Sequence, residues 1–428
     1  DFGPAVLTSI TAYGDVKHHE HGDLDLIELP IIEFPLYSRS QTFTQELQLA
    51  SGAGSPIQWI VGAFYLNNKA QYNPWRLFGL GIEGFTGVPG AYEFQYDPDI
   101  QRTKSYAIYG QTTFEVFTDT NLTVGGRYTI DKRKLYAEVA VRTPAGLIPL
   151  ATVDDSKTFK KPSWRIALDH KFGDDIMSYV SYSRGFKSGV YNTSAPMDPP
   201  VEPETLDAYE IGLKTTLFDR RLRFNVAAFR YDYKNIQLQQ VRGAATALLN
   251  AAKARVYGID ADFNLAVTER LSFNGGAVWL DHKYRDFPNA PITTPVPGMG
   301  NVSIDCVANP VGCDASGNKM VRAPDFVFSI AGDYVMPLAN GSELALNVSY
   351  AYNDGFYWEP GNRLRQGSYN VVNSQLKWTA PNENFNVRVW GRNLFNEKYF
   401  THEAEQALGD LAAAAPGRTY GVSFGVNF

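Results

Sequence analysis

The feature that most constrains this chain is its final stretch, Gly417 to Phe428, reading GRTYGVSFGVNF. Tyr420, Val422, Phe424, Val426 and Phe428 fall on one side of a two-residue period, and Gly421, Ser423, Gly425 and Asn427 fall on the other. An extended strand here has one wholly apolar face and one small or polar face. Ending on such a strand leaves an uncovered edge, which needs a pairing strand, and in a closed barrel the first strand supplies it. The pattern predicts an all-β fold, an antiparallel transmembrane β-barrel with lipid outside and a wet lumen inside.

Composition agrees with that reading. The 428 residues are 14% aromatic and include 37 glycines, yet no run of apolar residues reaches the ~18 that a membrane-spanning helix needs. A formal charge of −6, with no basic block interleaved with aromatics, argues against nucleic acid as a partner and fits an acidic loop surface. The two cysteines, Cys306 and Cys313, sit close together in a Pro/Gly/Asn-rich loop with no second Cys or His pair, which predicts a disulfide in an oxidising compartment rather than a zinc site. The chain opens on Asp1 with no signal peptide, so a processed or truncated product is expected. No nucleophile elbow, HExxH or phosphate-cradling glycine loop occurs, so neither an enzyme nor a cofactor is expected.

Period-2 segments and the turns between them give about sixteen strands. Tight turns are expected at Gly173-Asp174-Asp175, Phe218-Asp219-Arg220, Thr268-Glu269-Arg270, Pro337 to Ser342 and Ala380 to Asn384. Long connections alternate with them: the polar stretch after Lys17 through Ser38, then Asn73 to Ile100, Thr143 to Ser156, Tyr191 to Pro203, Val241 to Ala247, Phe287 to Val321, Gly355 to Arg365 and Thr401 to Pro416. Short turns on one rim and long loops on the other are the outer-membrane arrangement, with Phe428 at the periplasmic end. Alternation turns Tyr106, Ile108, Phe114 and Val116 towards lipid, and turns Arg127, Arg165, Glu210, Lys214, Asp260, Asp262, Arg388 and Arg392 inward, where they either line a watery lumen or grip an internal domain.

Two loop regions carry candidate chemistry. His18-His19-Glu20-His21 is a weak metal candidate, because alternation sets His18 and Glu20 on one face and His19 and His21 on the other, and only a loop would gather all three imidazoles. Tyr72, Trp75 and Phe78, then Tyr191, then Phe356, Tyr357 and Trp358 are aromatics in long loops beside polar groups, suited to a flat or amphipathic ligand such as a catecholate siderophore or a sugar. Aromatic belts at the membrane interface are the plainer reading of the same residues.

Seven segments in order, LTSITAY (Leu7 to Tyr13), FTQELQLAS (Phe43 to Ser51), YVSYSRGFKSGVYN (Tyr179 to Asn192), VEPETLDAYEIGLKT (Val201 to Thr215), LNAAKARVYGIDADF (Leu249 to Phe263), GRNLFNEKYF (Gly391 to Phe400) and the terminal stretch, resemble the barrel of a TonB-dependent outer-membrane receptor. The resemblance runs over essentially the whole chain. It implies a barrel of about twenty-two strands with a plugged lumen, and energy from TonB with ExbB and ExbD acting through a region N-terminal to the barrel. It further implies active uptake of a scarce large nutrient, a ferric siderophore first and a vitamin or oligosaccharide as variants, in a wall bathed by outer-membrane lipid and lipopolysaccharide. Residues 1–428 then read as barrel only, with plug and TonB box not in this sequence and about six strands missing at the N-terminus. A passive sixteen-stranded porin is the competing expectation; it requires the first strand to pair with the last.

Overall fold

The structure is a computed structural model, and it describes residues 3, 5–23, 28–29, 31–242, 245–250, 253–298, 300–306, 308–406 and 409–427. Sixteen strands form one sheet. They are β1 Ala5–Asp23, β2 Glu33–Ser51, β3 Ile57–Phe78, β4 Glu93–Phe117, β5 Thr120–Thr143, β6 Gly146–Lys171, β7 Ile176–Lys187, β8 Glu204–Leu217, β9 Leu222–Lys234, β10 Lys253–Ala266, β11 Leu271–Asp286, β12 Phe326–Pro337, β13 Glu343–Asn353, β14 Tyr369–Thr379, β15 Phe385–Arg392 and β16 Thr419–Val426. Each strand pairs antiparallel with its neighbours in this order. Among the described residues β1 pairs with β2 alone and β16 with β15 alone, so the sheet is an open wall in which no ladder joins first strand to last.

One rim carries the short turns. Phe218, Asp219 and Arg220 turn the chain in the left-handed region at φ 56°, 54° and 67°. Asp119 sits at φ 59° and Gly173 at φ 81° in their turns. Asn427 donates its backbone N–H to the Asn384 carbonyl at 2.9 Å, which sets the end of β16 on this rim beside the 380–384 turn. Phe428, expected at this end, lies outside the described residues.

At the other rim the structure corrects three expected loops. β3, β4, β5 and β6 run for 22, 25, 24 and 26 residues, against the ~10 that cross a bilayer. The Asn73 to Ile100 stretch is therefore mostly strand, leaving a 79–92 connection that holds the helix Ile82–Thr86. The Thr143 to Ser156 stretch is a hairpin tip, because Thr143 faces Gly146 in register and the ladder continues below it. Likewise β1 extends to Asp23 and β2 starts at Glu33, shortening the first loop. Sequence periodicity missed these extensions because their faces change character. In the bilayer one face is apolar, whereas beyond it the inner face buries Trp75, Phe94, Tyr96, Val139 and Val141 beneath the 82–86 helix.

Four of the remaining long loops carry hairpins, 237–242 with 245–250, 293–296 with 300–303, 356–357 with 365–366, and 400–406 with 409–414, while the Tyr191 to Pro203 loop is closed by the single bridge Val190–Val201. Cys306 and Cys313 are disulfide-bonded, as the sequence predicts. Beneath their loop, Tyr284, Phe287, Ala290 and Ala315 form a second small core.

Candidate ligand site and inner wall

The hairpins at the long-loop rim are stitched to one another by side chains reading backbone. Asn192 donates to the Leu248 carbonyl at 2.9 Å while Leu248 N–H donates back to Asn192 Oδ1 at 2.6 Å, tying the 188–203 loop to the 237–250 hairpin. Asn362 makes the same reciprocal bond with Lys319, at 2.8 and 3.0 Å. Gln237 Nε2 donates to the carbonyls of Ser188 and Glu202, each at 3.0 Å.

Arg363 is the hub of this network. Its guanidinium takes Asp410 with both ends, at 2.6 and 2.8 Å, and Glu405 at 2.9 Å. Asn301 reaches the same Asp410 at 2.9 Å, so three hairpins meet on one carboxylate. The planar fork matches a carboxylate in two bonds, which fixes direction as well as charge. Arg363 holds the Asp410 carboxyl below the usual carboxylate range. Burial pushes Glu405 up, and Glu403 is raised by burial and then by the nearby Asp410 charge. Glu359, nearly buried, accepts the backbone N–H groups of Gly361, Arg363 and Leu364.

Below this network lies a cavity of about 520 Å³. Trp358, Arg322, His402, Glu403, Glu405, Gln237 and Lys187 line it, with Leu238, Leu248 and Val321 supplying apolar wall. Arg322 lies 5.2 Å over the Trp358 ring and 3.2 Å from His402 Nδ1. Trp358 Nε1 and Gln237 Oε1 are buried without a hydrogen-bond partner, one donor and one acceptor within the cavity lining. An apolar body with a few convergent polar groups is the usual make-up of a small-molecule site.

The expected aromatic candidates do not converge. Trp358 lines the cavity, with Phe356 edge-on to it at 4.8 Å, while Tyr357 carries Arg365 5.8 Å over its ring. Trp75 is only 8% exposed and stacks on Tyr96 at 4.7 Å, so it is a packing residue of the rim core, against which Tyr72 is also packed. Phe78 ends β3 opposite Glu93 and tilts against His21. Tyr191 is buried at 2% exposure and donates its hydroxyl to Asp155 at 2.9 Å. The sequence reading missed Arg322, His402, Glu403, Glu405 and the Arg363–Asp410 hub. Their one local signal is the charged run HEAEQ (His402 to Gln406) inside a loop otherwise rich in alanine.

The three histidines lie on β1 rather than in a loop. His18 sits 3.2 Å from Glu20, His19 packs edge-on to Tyr37 at 4.8 Å, and His21 lies 3.4 Å from Glu33. Among the described residues no group of three or more His, Cys, Asp or Glu side chains is placed to hold a metal ion.

Register puts all eight inward candidates on the polar face of the wall. Arg127 stands opposite Tyr109, with its guanidinium 5.3 Å over Phe64 and 5.6 Å over Tyr109, whose hydroxyl donates to Glu46 at 2.5 Å. Arg165 faces Gly125 one row below. Tyr179 donates to Glu210 at 2.6 Å, and Lys214 lies 5.7 Å over the Tyr179 ring. Asp260 stands opposite Ala227, and Asp262 accepts from Asn225 at 3.0 Å. Arg388 and Arg392 flank Trp390 in a polar cleft of about 190 Å³. Among the described residues the ion pairs include none of the eight.

A wall of sixteen antiparallel strands, apolar on one face, polar on the other and sorted by loop length, defines an outer-membrane β-barrel protein. Within that class the chain belongs to the TonB-dependent receptor-like β-barrel family, whose description matches residues 8–394. It is 22% identical over 401 residues to the pesticin receptor of Yersinia pestis, covering 90% of this chain and 51% of that protein. It is 22% identical over 349 residues to a probable TonB-dependent siderophore receptor of Acinetobacter baumannii, covering 78% of this chain and 43% of that protein. In fold it is similar to the ferric yersiniabactin uptake receptor of Yersinia pestis, with a TM-score of 0.79 at 18% identity over 99% of this chain and 59% of that one. The chain thus spans about half the length of the curated relatives it matches.

Proposed function

We propose that this chain forms most of the barrel wall of a receptor that captures a ferric siderophore outside the cell and imports it with energy delivered through TonB, ExbB and ExbD. The observation that carries the reading is the stitched roof. Hairpins tied through Arg363 and Asn192 border a cavity of about 520 Å³ that sets Trp358 and an aliphatic wall beside both signs of charge. A siderophore offers a flat or amphipathic body and polar iron-ligating groups, and Trp358, Arg322 and Gln237 are complementary to both. The unpaired charges of the inner wall support a second part of the proposal. Arg127, Arg165, Arg388 and Arg392, with Glu210, Lys214, Asp260 and Asp262, face a plug domain seated in the lumen, and further strands stand between β16 and β1.

Uptake of radioactive iron as a set of ferric siderophores tests this in cells lacking the gene, complemented with it, and complemented in a TonB-deficient background. Accumulation that needs both the gene and TonB is expected. Entry that persists without TonB and scales with solute size would establish a passive pore. Accumulation of a vitamin or oligosaccharide, but of no siderophore, would reassign the ligand class.

A further inference from the structure

Arg322 reaches the cavity from a strained position. Its backbone lies in the left-handed region at φ 54°, which a residue of this kind holds only where its surroundings impose it. Those surroundings are the segment 318–325, laid along the end of β11 beyond the apolar band. Leu280 N–H donates to the Asp325 carbonyl at 2.8 Å and Tyr284 N–H to the Asn318 carbonyl at 3.0 Å, so the segment is pinned at both ends. Between the pins His282, 1% exposed, accepts the Met320 N–H on Nδ1 at 3.1 Å. On the other side Arg322 N–H donates to the Tyr357 carbonyl at 2.7 Å.

A backbone N–H can only donate, so Nδ1 of His282 carries no proton and the ring proton sits on Nε2. Nε2 lies 3.2 Å from Asp325 Oδ1, without the alignment of a hydrogen bond. The charges facing the ring are Asp325, whose other oxygen is taken by the Lys319 ammonium, and Asp281, while Val256 stands opposite on β10. Burial outweighs the pull of Asp325 and holds the imidazole below its usual range. We propose that His282 is a positioning residue for the ligand cavity, holding Arg322 in place while neutral and releasing it when protonated. The inference rests on reading that cavity as the ligand site. A proton on Nδ1 would face the Met320 N–H, two donors with no acceptor between them, and the imidazolium would compete with Lys319 for Asp325. The docked segment is therefore favoured above the ordinary imidazole pKa of about 6.5 and loses ground as pH falls through the lowered value. Arg322, 5.2 Å over Trp358 and 3.2 Å from His402 Nδ1, then leaves the cavity wall.

His402 accepts from Arg322 in the same neutral form, and Glu403 and Glu405 line the same cavity, so the test separates His282 from them by substitution. Asparagine can set its Oδ1 where Nδ1 stands and does not titrate, whereas leucine removes the acceptor. Hydrogen exchange of 318–325, corrected for its intrinsic pH dependence, is read without ligand in the full-length protein in nonionic detergent at pH 7.5 and 5.5. The wild type should exchange about tenfold faster at pH 5.5, His282→Asn slowly at both values and His282→Leu fast at both. Quenching of tryptophan fluorescence by ferric citrate, a ferric trihydroxamate and a ferric catecholate is then read at the same two values. For a complex that binds, the wild type should lose about tenfold in affinity at pH 5.5, and His282→Asn clearly less, the ligand's own chemistry being common to both. Equal acid effects in wild type and His282→Asn, no acid effect on exchange in wild type, or affinity that ignores the exchange would each overturn the proposal. If His282→Leu fails to fold, wild type against His282→Asn decides alone. Failure of every ferric complex to bind at either pH would sink the siderophore reading instead, with exchange still deciding whether His282 holds the segment.

Discussion

On β7 to β10 most outer-face charges are paired where strands leave the apolar band, Lys234, opposite Lys253, being outside the ion pairs among the described residues. Arg184 takes both oxygens of Asp207 at 2.6 Å, Tyr182 adds a third bond to that carboxylate, and Asp232 is shared by Arg230 and Arg255 at 2.8 and 2.6 Å. Arg184 also lies 4.6 Å over Trp164, and Tyr182 stacks on Tyr209 at 4.8 Å. On β3 to β6 the corresponding positions hold cations that face one another, Lys69 opposite Arg102, Arg102 opposite Lys134 and Lys104 opposite Lys132, and of these only Lys134 has an acidic partner among the described residues, Asp154 at 2.7 Å. The difference teaches how charge is to be read on such a wall. A region that closes its own ion pairs is finished as it stands, whereas a region of unpaired, repelling charge marks a surface that something else completes. The inner face, with eight charged residues outside any ion pair among the described residues, belongs to the second kind.

Burial decides how much an unpaired charge costs, and the largest expected effect tests that. Asp99 stands on the inner face of β4, beyond the bilayer, fully buried with neither oxygen hydrogen-bonded, and burial raises its pKa to about 7. A raised carboxylate pKa means that the folded state binds more protons than the unfolded state between about pH 4 and pH 7, so stability falls as pH rises through that window. Asp99→Asn should therefore stabilise the protein by on the order of 3 kcal/mol at pH 8 and by almost nothing at pH 4, read from denaturation at the two pH values. A gain that does not change with pH would mean that Asp99 has a partner in solution.

Next in size is Arg184→Ala, which strands the nearly buried Asp207 carboxylate, 6% exposed. A loss of about 2 kcal/mol is expected, against little change for Arg102→Ala in the unpaired region. Equal losses at the two sites would remove the distinction between the regions. Arg363→Gln should cost about 1.5 kcal/mol and open the roof, seen as faster hydrogen exchange in 293–303 and 400–414 together. Because Arg363 holds the Asp410 carboxyl below its usual range, that contribution is present above about pH 4 and fades as pH falls further. Exchange that changes in one hairpin alone would demote Arg363 from hub to local contact. The smallest effect is Lys104→Gln, where relief of repulsion from Lys132 opposite it should raise stability by about 0.5 kcal/mol.

Much of the wall was legible because a strand in lipid leaves few choices. Gly421, Ser423 and Gly425 could only face inward once Tyr420, Val422 and Phe424 faced out, and the same period placed Arg127, Asp260 and Arg392 on the polar face. Outside the bilayer that constraint lapses. Trp75 reads as an exposed loop aromatic because nothing local shows that β3 continues upward and meets Tyr96 on β4. The cavity was hidden for a related reason. Arg322, Trp358 and His402 come from three separate loops, and only the fold brings them within about 6 Å of each other. The basic patch has the same cause, since Lys69, Arg102 and Lys134 are scattered in sequence and adjacent only across ladders.

The central claim is that unpaired charge on this wall marks the places where its partners sit. An experimental structure of the full-length protein, isolated with its native lipid, tests it most directly. Polypeptide packed against Arg127, Arg388 and Asp262, with no added partner at Arg184 and Asp232, is the predicted result. Solvent over the inner face, with β16 hydrogen-bonded to β1 around an open lumen, would contradict it.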